Sequence, residues 1–413
     1  VNLDEPRTRY AVAVLGDVFP GSTVAPARAG IGRTATQPSA DRVFALAPSG
    51  THPRLLVPVR PRDAAAAALR AYGGRLTRRA QLGYAAAARV IAATGTGALR
   101  ARLAVSPAGS GSDALDQHLS DVLGREVSIA VHLTPARANR KPVVQALARG
   151  ERRPVAFAKL AVDPLTSALV AREAAALTDI GARHLEHVVV PEVLDHGRFA
   201  GRESLVMQPL PTWLPGRSPD LADASSAAHE VARLNDPVRQ PLAESAYWHD
   251  VQRQTVELPA GPRAARLADA VERLTRDAGQ RVVTFTASHG DWSPWNMWQT
   301  ERGLLVWDWE RFETATPAGL DLLHFRLNDQ LIRKAWSRDA AGHRLLAEAP
   351  EILALDPYAD AAAPTALLYL VHLGLRYERD GQAAAGAALG RLDEWLLPAV
   401  EAGLAEAAVA NRG

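Results

Sequence analysis

The residues best suited to chemistry fall in one stretch, Ser288-His289-Gly290-Asp291-Trp292-Ser293-Pro294-Trp295-Asn296, followed closely by Trp307-Asp308-Trp309-Glu310. The apolar run Val282 to Ala287 reads as a strand leading into the first segment, and Gly303 to Val306 reads as a strand ending just before Asp308. The pattern therefore predicts two strands that deliver Asp291, Asn296 and Asp308 to one end of a small sheet. Carboxylate and amide oxygens are hard ligands of the kind magnesium prefers, and a carboxylate can also take a proton from a hydroxyl or amine. Phosphoryl transfer asks for that set: a held triphosphate, neutralised charge and an aimed acceptor. On this reading Asp291 is the base, and Asn296 and Asp308 are the metal ligands. His289 orders the loop, and Gly290 permits a tight backbone turn.

The wording H-G-D-x-x-x-x-N followed by D-x-E resembles the aminoglycoside phosphotransferase and choline kinase branch of the protein-kinase-like fold, in which H-G-D stands for the H-R-D of protein kinases. The resemblance spans roughly residues 115 to 400 and matches at Asp291, Asn296 and Asp308. It implies an α+β, bilobal protein-kinase-like fold, with a small β-rich lobe and a large α-helical lobe. It further implies ATP as donor, Mg2+ as cofactor, and a hydroxyl of a sugar, amino-sugar or aminoglycoside-like small molecule as acceptor. The alanine- and arginine-rich usage suggests a GC-rich, actinobacterial-type source, and the tryptophans together with the extra N-terminal region favour a metabolic sugar or amino-sugar kinase over an antibiotic-resistance enzyme as the expected relative. Asp321, in Asp-Leu-Leu, resembles the family's bracing aspartate. The bland alternative for the whole stretch is a tryptophan-rich structural turn.

Lys159 interrupts the apolar strand pattern Val155 to Leu160, where an ammonium is costly without a partner. Leu169, Glu173 and Leu177 lie four apart on a predicted helix, so Glu173 falls on its apolar face. Two charges placed against the local pattern most economically meet each other. The pair resembles the lysine and glutamate that orient the ATP phosphates in kinase-like folds; the alternative is a lysine snorkelling from a strand edge. Leu205 to Leu210 reads as the hinge between lobes, with Met207 and Gln208 beside adenine and Pro209 and Pro211 stiffening the crossing.

Length and composition set bounds on the rest. A chain of 413 residues accommodates two or three cores, and a hydrophobic fraction of 47% with 22% charged residues is that of a soluble globular protein. A net charge of +2 from nearly balanced acids and bases gives no reason to expect a nucleic-acid partner. The absence of cysteine excludes disulfides and thiolate metal sites and fits a cytoplasmic location. The early apolar run Tyr10 to Leu15 is too short for a signal-peptide core or a membrane span, so neither is expected.

Three regions follow: 1–108 as an N-terminal α/β cap, 109–210 as the ATP-binding small lobe and 211–413 as the helical lobe. In the first, Val43 to Ala47 and Arg54 to Arg60 read as strands, Asp63 as the cap of an alanine-rich helix stopped by Gly73-Gly74, and Thr77 to Ala93 as a second helix. Arg75, Arg78 and Arg79 form a positive cluster of the kind that is usually a solvated face. Residues 107–112 read as a linker, after which Ser112 or Asp113 caps a helix striped by Leu115, Leu119 and Leu123. Val127 to Leu133 and Pro142 to Leu147 alternate like a hairpin, and Val188 to Val193 and Ser204 to Gln208 read as the last small-lobe strands.

The hairpin turn, Thr134 to Lys141, contains no glycine, unlike the phosphate loop of protein kinases; Asn139, Arg140 and Lys141 could bind phosphate or merely solvate the tip. That departure keeps open a second reading, a nucleotide-binding pseudokinase acting as a regulatory or scaffold protein. Further helices are expected near Pro219 to Leu234, Pro262 to Ala278, Ala318 to Trp336, Thr365 to Tyr377 and Gln382 to Leu397. His184 and His187 lack a third metal ligand at useful spacing and read as surface residues. Of the tryptophans at 292, 295, 298, 307 and 309, most should pack beneath the loop, with Trp292 or Trp295 as the candidate face for a sugar. Glu310, Glu313 and Asp329 are candidate partners for an amine.

Overall fold

A computed structural model of the chain describes residues 5–27, 42–74, 78–107, 114–134 and 137–410. Most of the 107–112 linker, both proposed caps of the following helix, Arg75 and the side chain of Arg78 lie outside the described residues. The chain divides into two compact units, Val1–Pro135 with Arg140–Thr178 and Pro191–Pro215, and Ala136–Asn139 with Asp179–Val190 and Gly216–Gly413.

In the first unit, α1 (Pro6–Val18) precedes β1 (Thr23–Ala27), β2 (Arg42–Ala47) and β3 (Leu55–Pro58). Next come α2 (Arg62–Gly73), α3 (Arg78–Thr94), β4 (Arg102–Ser106), α4 (Leu115–Leu123), β5 (Val127–His132), β6 (Val143–Ala148), β7 (Ala156–Leu160) and α5 (Pro164–Gly181). After β8 (Val188–Val189), which belongs to the other unit, β9 (Val193–Phe199) and β10 (Arg202–Met207) complete a nine-stranded antiparallel sheet of order β1-β4-β2-β3-β5-β6-β7-β10-β9. The 1–108 stretch thus extends the sheet of the following region edge to edge, through Leu55 opposite His132 and Leu56 opposite Val131.

Alternation sorts the core onto two faces, because successive strand side chains point oppositely. Phe44, Leu46 and Leu56 pack with Leu15 of α1 and Leu119 of α4, while Ala45, Ala47, Leu55 and Val57 meet α2 and α3. The unbroken run Ala64–Ala68 lets α2 lie close to the sheet. Asp63 is not its cap: Pro61 holds that position, and the Asp63 carboxylate accepts from the N–H groups of Ala64 and Gly150.

The second unit has α6 (Leu221–Ala232), α7 (Ala246–Val256), α8 (Pro262–Ala278), α9 (Leu320–Ile332), α10 (Ala341–Leu353), α11 (Ala362–Arg379) and α12 (Leu396–Ala410). Its strands are β11 (Gly216–Arg217), β12 (Val238–Pro241), β13 (Val282–Ser288), β14 (Met297–Thr300), β15 (Gly303–Val306) and β16 (Glu313–Pro317). The last helix therefore begins at Leu396, not near Gln382; the stretch before it contains two short 3-10 turns instead. Among the described residues no helix is long and apolar enough to cross a membrane.

Two strand expectations change. β13 and β15 do not share a sheet: β13 lies between β12 and β16, while β15 lies between β14 and β8. Periodicity reports which face of a strand is buried but not which strand it pairs with. The segment Val188 to Val193 also splits, since β8 runs parallel to β15 whereas β9 starts at Val193 and pairs with β10. Pro191 lies between the two and offers no N–H to a continuous ladder.

α11 is buried along most of its length, and His372 sits within it, stacked 5.9 Å from Tyr247. Burial pushes the His372 imidazole down to about 3, helped by the nearby Arg376 and Arg311 charges. Below pH 6.5 the unfolded chain takes up a proton that folded His372 refuses, so stability falls with pH, by about 2 kcal/mol at pH 5 from this group. His372→Phe is expected to flatten the melting temperature measured between pH 7 and pH 5.

Candidate active site

In the second unit the site is built on the turn that follows β13. His289 is fully buried, edge-on to the rings of Trp292 and Trp309 at 5.4 and 4.6 Å. Its Nδ1 accepts from the Asp291 N–H at 3.1 Å and its Nε2 donates to the Trp307 carbonyl at 3.2 Å, tying the loop to the segment carrying Asp308. Burial lowers this imidazole to about 4, so it stays neutral and keeps both roles. Gly290 has φ +77°, and a Cβ there would lie 2.2 Å from the Arg311 carbonyl oxygen. Only glycine fits both the left-handed turn and that close approach.

Asp321, at the start of α9, braces the turn from below. Its carboxylate accepts the His289 N–H at 2.7 Å and the Gly290 N–H at 3.0 Å. Burial, followed by the charges of Asp291 and Asp356, pushes it up to about 7 against those two donors. Asp321→Asn turns one acceptor into a donor facing an N–H. We expect it to cost about 2–3 kcal/mol in thermal or urea unfolding and to disorder the loop.

Asp291 and Asn296 meet directly. The Asn296 amide nitrogen donates to the Asp291 carbonyl at 3.0 Å and to Asp291 Oδ2 at 2.9 Å. Both its hydrogens are thereby engaged, and the amide oxygen is left as an acceptor. The Trp307 N–H donates to the Asn296 carbonyl at 3.1 Å, which sets Asp308 one residue from the same pair. Asp308 is half-buried and left-handed, with φ 73° and ψ 50°, a conformation that costs a non-glycine residue on the order of 1–2 kcal/mol. Strain of this kind collects at functional sites.

The remaining contacts of Asp291 are ones that motif reading missed. His324 Nε2 lies 2.9 Å from Asp291 Oδ1, and the guanidinium of Arg376 lies 3.9 Å from it while donating to the Gly290 carbonyl. Burial would raise the Asp291 carboxyl, but the His324 hydrogen bond and the Arg376 charge outweigh it and hold the group well below the usual carboxylate range. His324 could have been noticed as a polar residue three positions after Asp321, on the same helical face of an otherwise apolar run.

No protein-family model and no curated protein sequence matches the chain. Among solved structures it is similar to choline kinase LicA from Streptococcus pneumoniae, at 13% identity and TM-score 0.48, over 71% of this chain and 98% of that one. It is also similar to a thermostable mutant of aminoglycoside phosphotransferase APH(4)-Ia, at 14% identity and TM-score 0.45, over 71% and 99%. A third is aminoglycoside phosphotransferase APH(3'')-Id from Streptomyces rimosus, at 18% identity and TM-score 0.37, over 57% and 89%.

In the first unit Lys159 Nζ donates to both Glu173 carboxylate oxygens, at 2.6 and 2.7 Å. Lys159 lies opposite Val143 on one side and Leu205 on the other, so it sits within the sheet and not at an edge. Met207 ends β10 and is buried, whereas Gln208 is exposed and its N–H donates to the Glu192 carbonyl at 2.8 Å. Arg140, at the glycine-free turn, pairs with Asp17 of α1 at 3.0 Å and lies over the Tyr10 ring. In the second unit the Asn139 amide donates to the buried Glu310 at 3.1 Å. Both side chains are thus engaged in intramolecular bonds.

The tryptophans divide sharply. Trp292 is completely buried, with its indole N–H donated to the Ala224 carbonyl, so it offers no face to a ligand and that expectation falls. Trp295 is 37% exposed, with the Arg137 guanidinium 5.8 Å from its ring. His184 and His187 are exposed, as expected of surface residues.

Proposed function

We propose that the chain is an ATP- and magnesium-dependent small-molecule phosphotransferase that moves the γ-phosphate to a hydroxyl of a sugar, amino-sugar or aminoglycoside-like acceptor. The observation that carries this reading is the Asp291–Asn296 contact, which engages the amide hydrogens and leaves an amide oxygen beside a carboxylate held ionised. Asp291 is the base: it accepts a hydrogen bond from the acceptor hydroxyl and takes its proton as the new oxygen–phosphorus bond forms and the bond to ADP breaks. Asn296 Oδ1 and the Asp308 carboxylate are hard oxygen donors that suit magnesium, and would hold it. The ion, when bound, neutralises phosphate charge. Lys159, oriented by Glu173, would meet the α- and β-phosphates, and Met207 and Gln208 would lie beside adenine; Gln208 brings its side chain and carbonyl, since its N–H is occupied.

Residues 109–210 are then the nucleotide-binding lobe, 211–413 the acceptor-binding lobe, and 1–108 an extension of the former. A polar acceptor ring could stack on Trp295, which has the exposed face that Trp292 lacks. A cytoplasmic location belongs to the same reading.

The test is a thermal-shift series with ATP, with and without magnesium, followed by a phosphorylation assay over sugars, amino-sugars and aminoglycosides. Magnesium-dependent stabilisation by ATP and turnover on one acceptor class are expected. The glycine-free turn favours one other reading, a nucleotide-binding pseudokinase. Nucleotide binding with no phosphorylation of any acceptor, and no hydrolysis of ATP, would decide for it.

A further inference from the structure

Asp291 is held from both sides. Asn296 donates to Oδ2 from within the loop, and His324, on α9, lies against Oδ1. His324 is itself anchored: its Nδ1 is 2.9 Å from the Tyr369 hydroxyl of α11, and the Asn328 amide donates to its carbonyl oxygen at 2.9 Å. His324 and Tyr369 are both at least 97% buried, so water does not compete for these bonds. An ionised carboxylate can only accept, so His324 Nε2 carries an N–H, and burial, which lowers the imidazole's pKa, keeps the ring neutral. Nδ1 is then the acceptor, and the Tyr369 O–H is its donor. The chain of donors runs one way, from Tyr369 through His324 to Asp291, and it fixes the imidazole tautomer.

We propose that His324 is a positioning residue, which with Tyr369 behind it locks the Asp291 carboxylate in the plane that turns its remaining lone pairs toward the acceptor hydroxyl. This rests on Asp291 being the base. Neither His324 nor Tyr369 takes up the acceptor's proton: Nε2 already carries one, and Nδ1 is occupied by the tyrosine hydroxyl. Their contribution is geometric. Without His324, Oδ1 keeps only the Arg376 guanidinium at 3.9 Å, too far for a hydrogen bond, so the carboxylate can rotate about its Cβ–Cγ bond, and misplacement of a reacting group by about 1 Å can cost on the order of 100-fold in rate.

The experiment uses the full chain with MgATP, water serving as acceptor and ADP release as readout, and compares His324→Leu, His324→Gln, Tyr369→Phe and Asp291→Asn. His324→Leu is expected to lower kcat on the order of 100-fold without changing KM for MgATP. His324→Gln, whose amide N–H can reach Oδ1, should recover most of that loss, and Tyr369→Phe should lose less than His324→Leu because Nε2–H survives. Unchanged kcat in His324→Leu, or equal losses in folded Leu and Gln variants, would overturn the positioning role. Asp291→Asn separates the two readings, because full turnover in that variant overturns the base itself. Should the leucine variant fail to fold, nitrogen-15 histidine NMR of the wild type decides: the resonance that disappears in His324→Gln must show protonated Nε2 and bare Nδ1, and the opposite tautomer overturns the proposal.

Discussion

Asp291→Asn is expected to reduce phosphoryl transfer by on the order of 10²–10⁴-fold while leaving ATP binding nearly intact. The substitution keeps the side-chain volume but replaces one carboxylate oxygen with an amide nitrogen. That nitrogen cannot accept a proton, and it would face either Asn296 Nδ2 or His324 Nε2, both donors that now sit about 2.9 Å from an oxygen. Because Asp321 and His289 hold the loop through backbone groups, the fold of the turn should survive the change. Turnover assays paired with an ATP thermal shift check both halves, and a variant with wild-type turnover would remove Asp291 from the chemistry.

Glu173→Ala should have the second-largest effect, this time on stability as well as activity. The glutamate is fully buried and supplies both oxygens that Lys159 Nζ meets, so its removal deprives a buried ammonium of that bidentate partner. Breaking one side of a buried ion pair typically costs about 3–5 kcal/mol, because the remaining charge is still out of water. Chemical denaturation should read a loss of that order. Glu173→Gln, which keeps one oxygen, should cost less and show weaker ATP stabilisation. An alanine variant as stable as the wild type would mean that Lys159 reaches solvent or another acid at no cost.

Local pattern carried the reading a long way, and the places where it stopped share a cause. The loop from His289 to Asn296 was legible because its chemistry is written in adjacent residues, and the parts of His289 and Gly290 follow from the tight turn they hold, whereas Asp321, more than thirty residues on, was reached only through the family resemblance. Lys159 and Glu173 were legible because each violates its own hydrophobic period, a local signal with one economical resolution. The apolar run Val43 to Ala47 was likewise legible as a strand, though its burial on both faces was not. Strand partnership was not legible: β13 and β15 lie in separate three- and four-stranded sheets, and β3 joins β5 across more than seventy residues of chain. Nor could Trp292 be told from Trp295, since both are tryptophans in one loop and only packing buries the first.

By itself, then, the order of residues announced the turn from His289 to Asn296, the two charges at 159 and 173 that break their own hydrophobic periods, and the existence of most strands and helices, because each of these signals lies within a few positions of chain. The tertiary structure alone decided which strands pair, which indole meets solvent, and that His324 and Arg376, carried on two helices, meet Asp291, with Tyr369 behind His324. Such contacts are set by how helix faces pack against one another, and no periodicity within a single element records them.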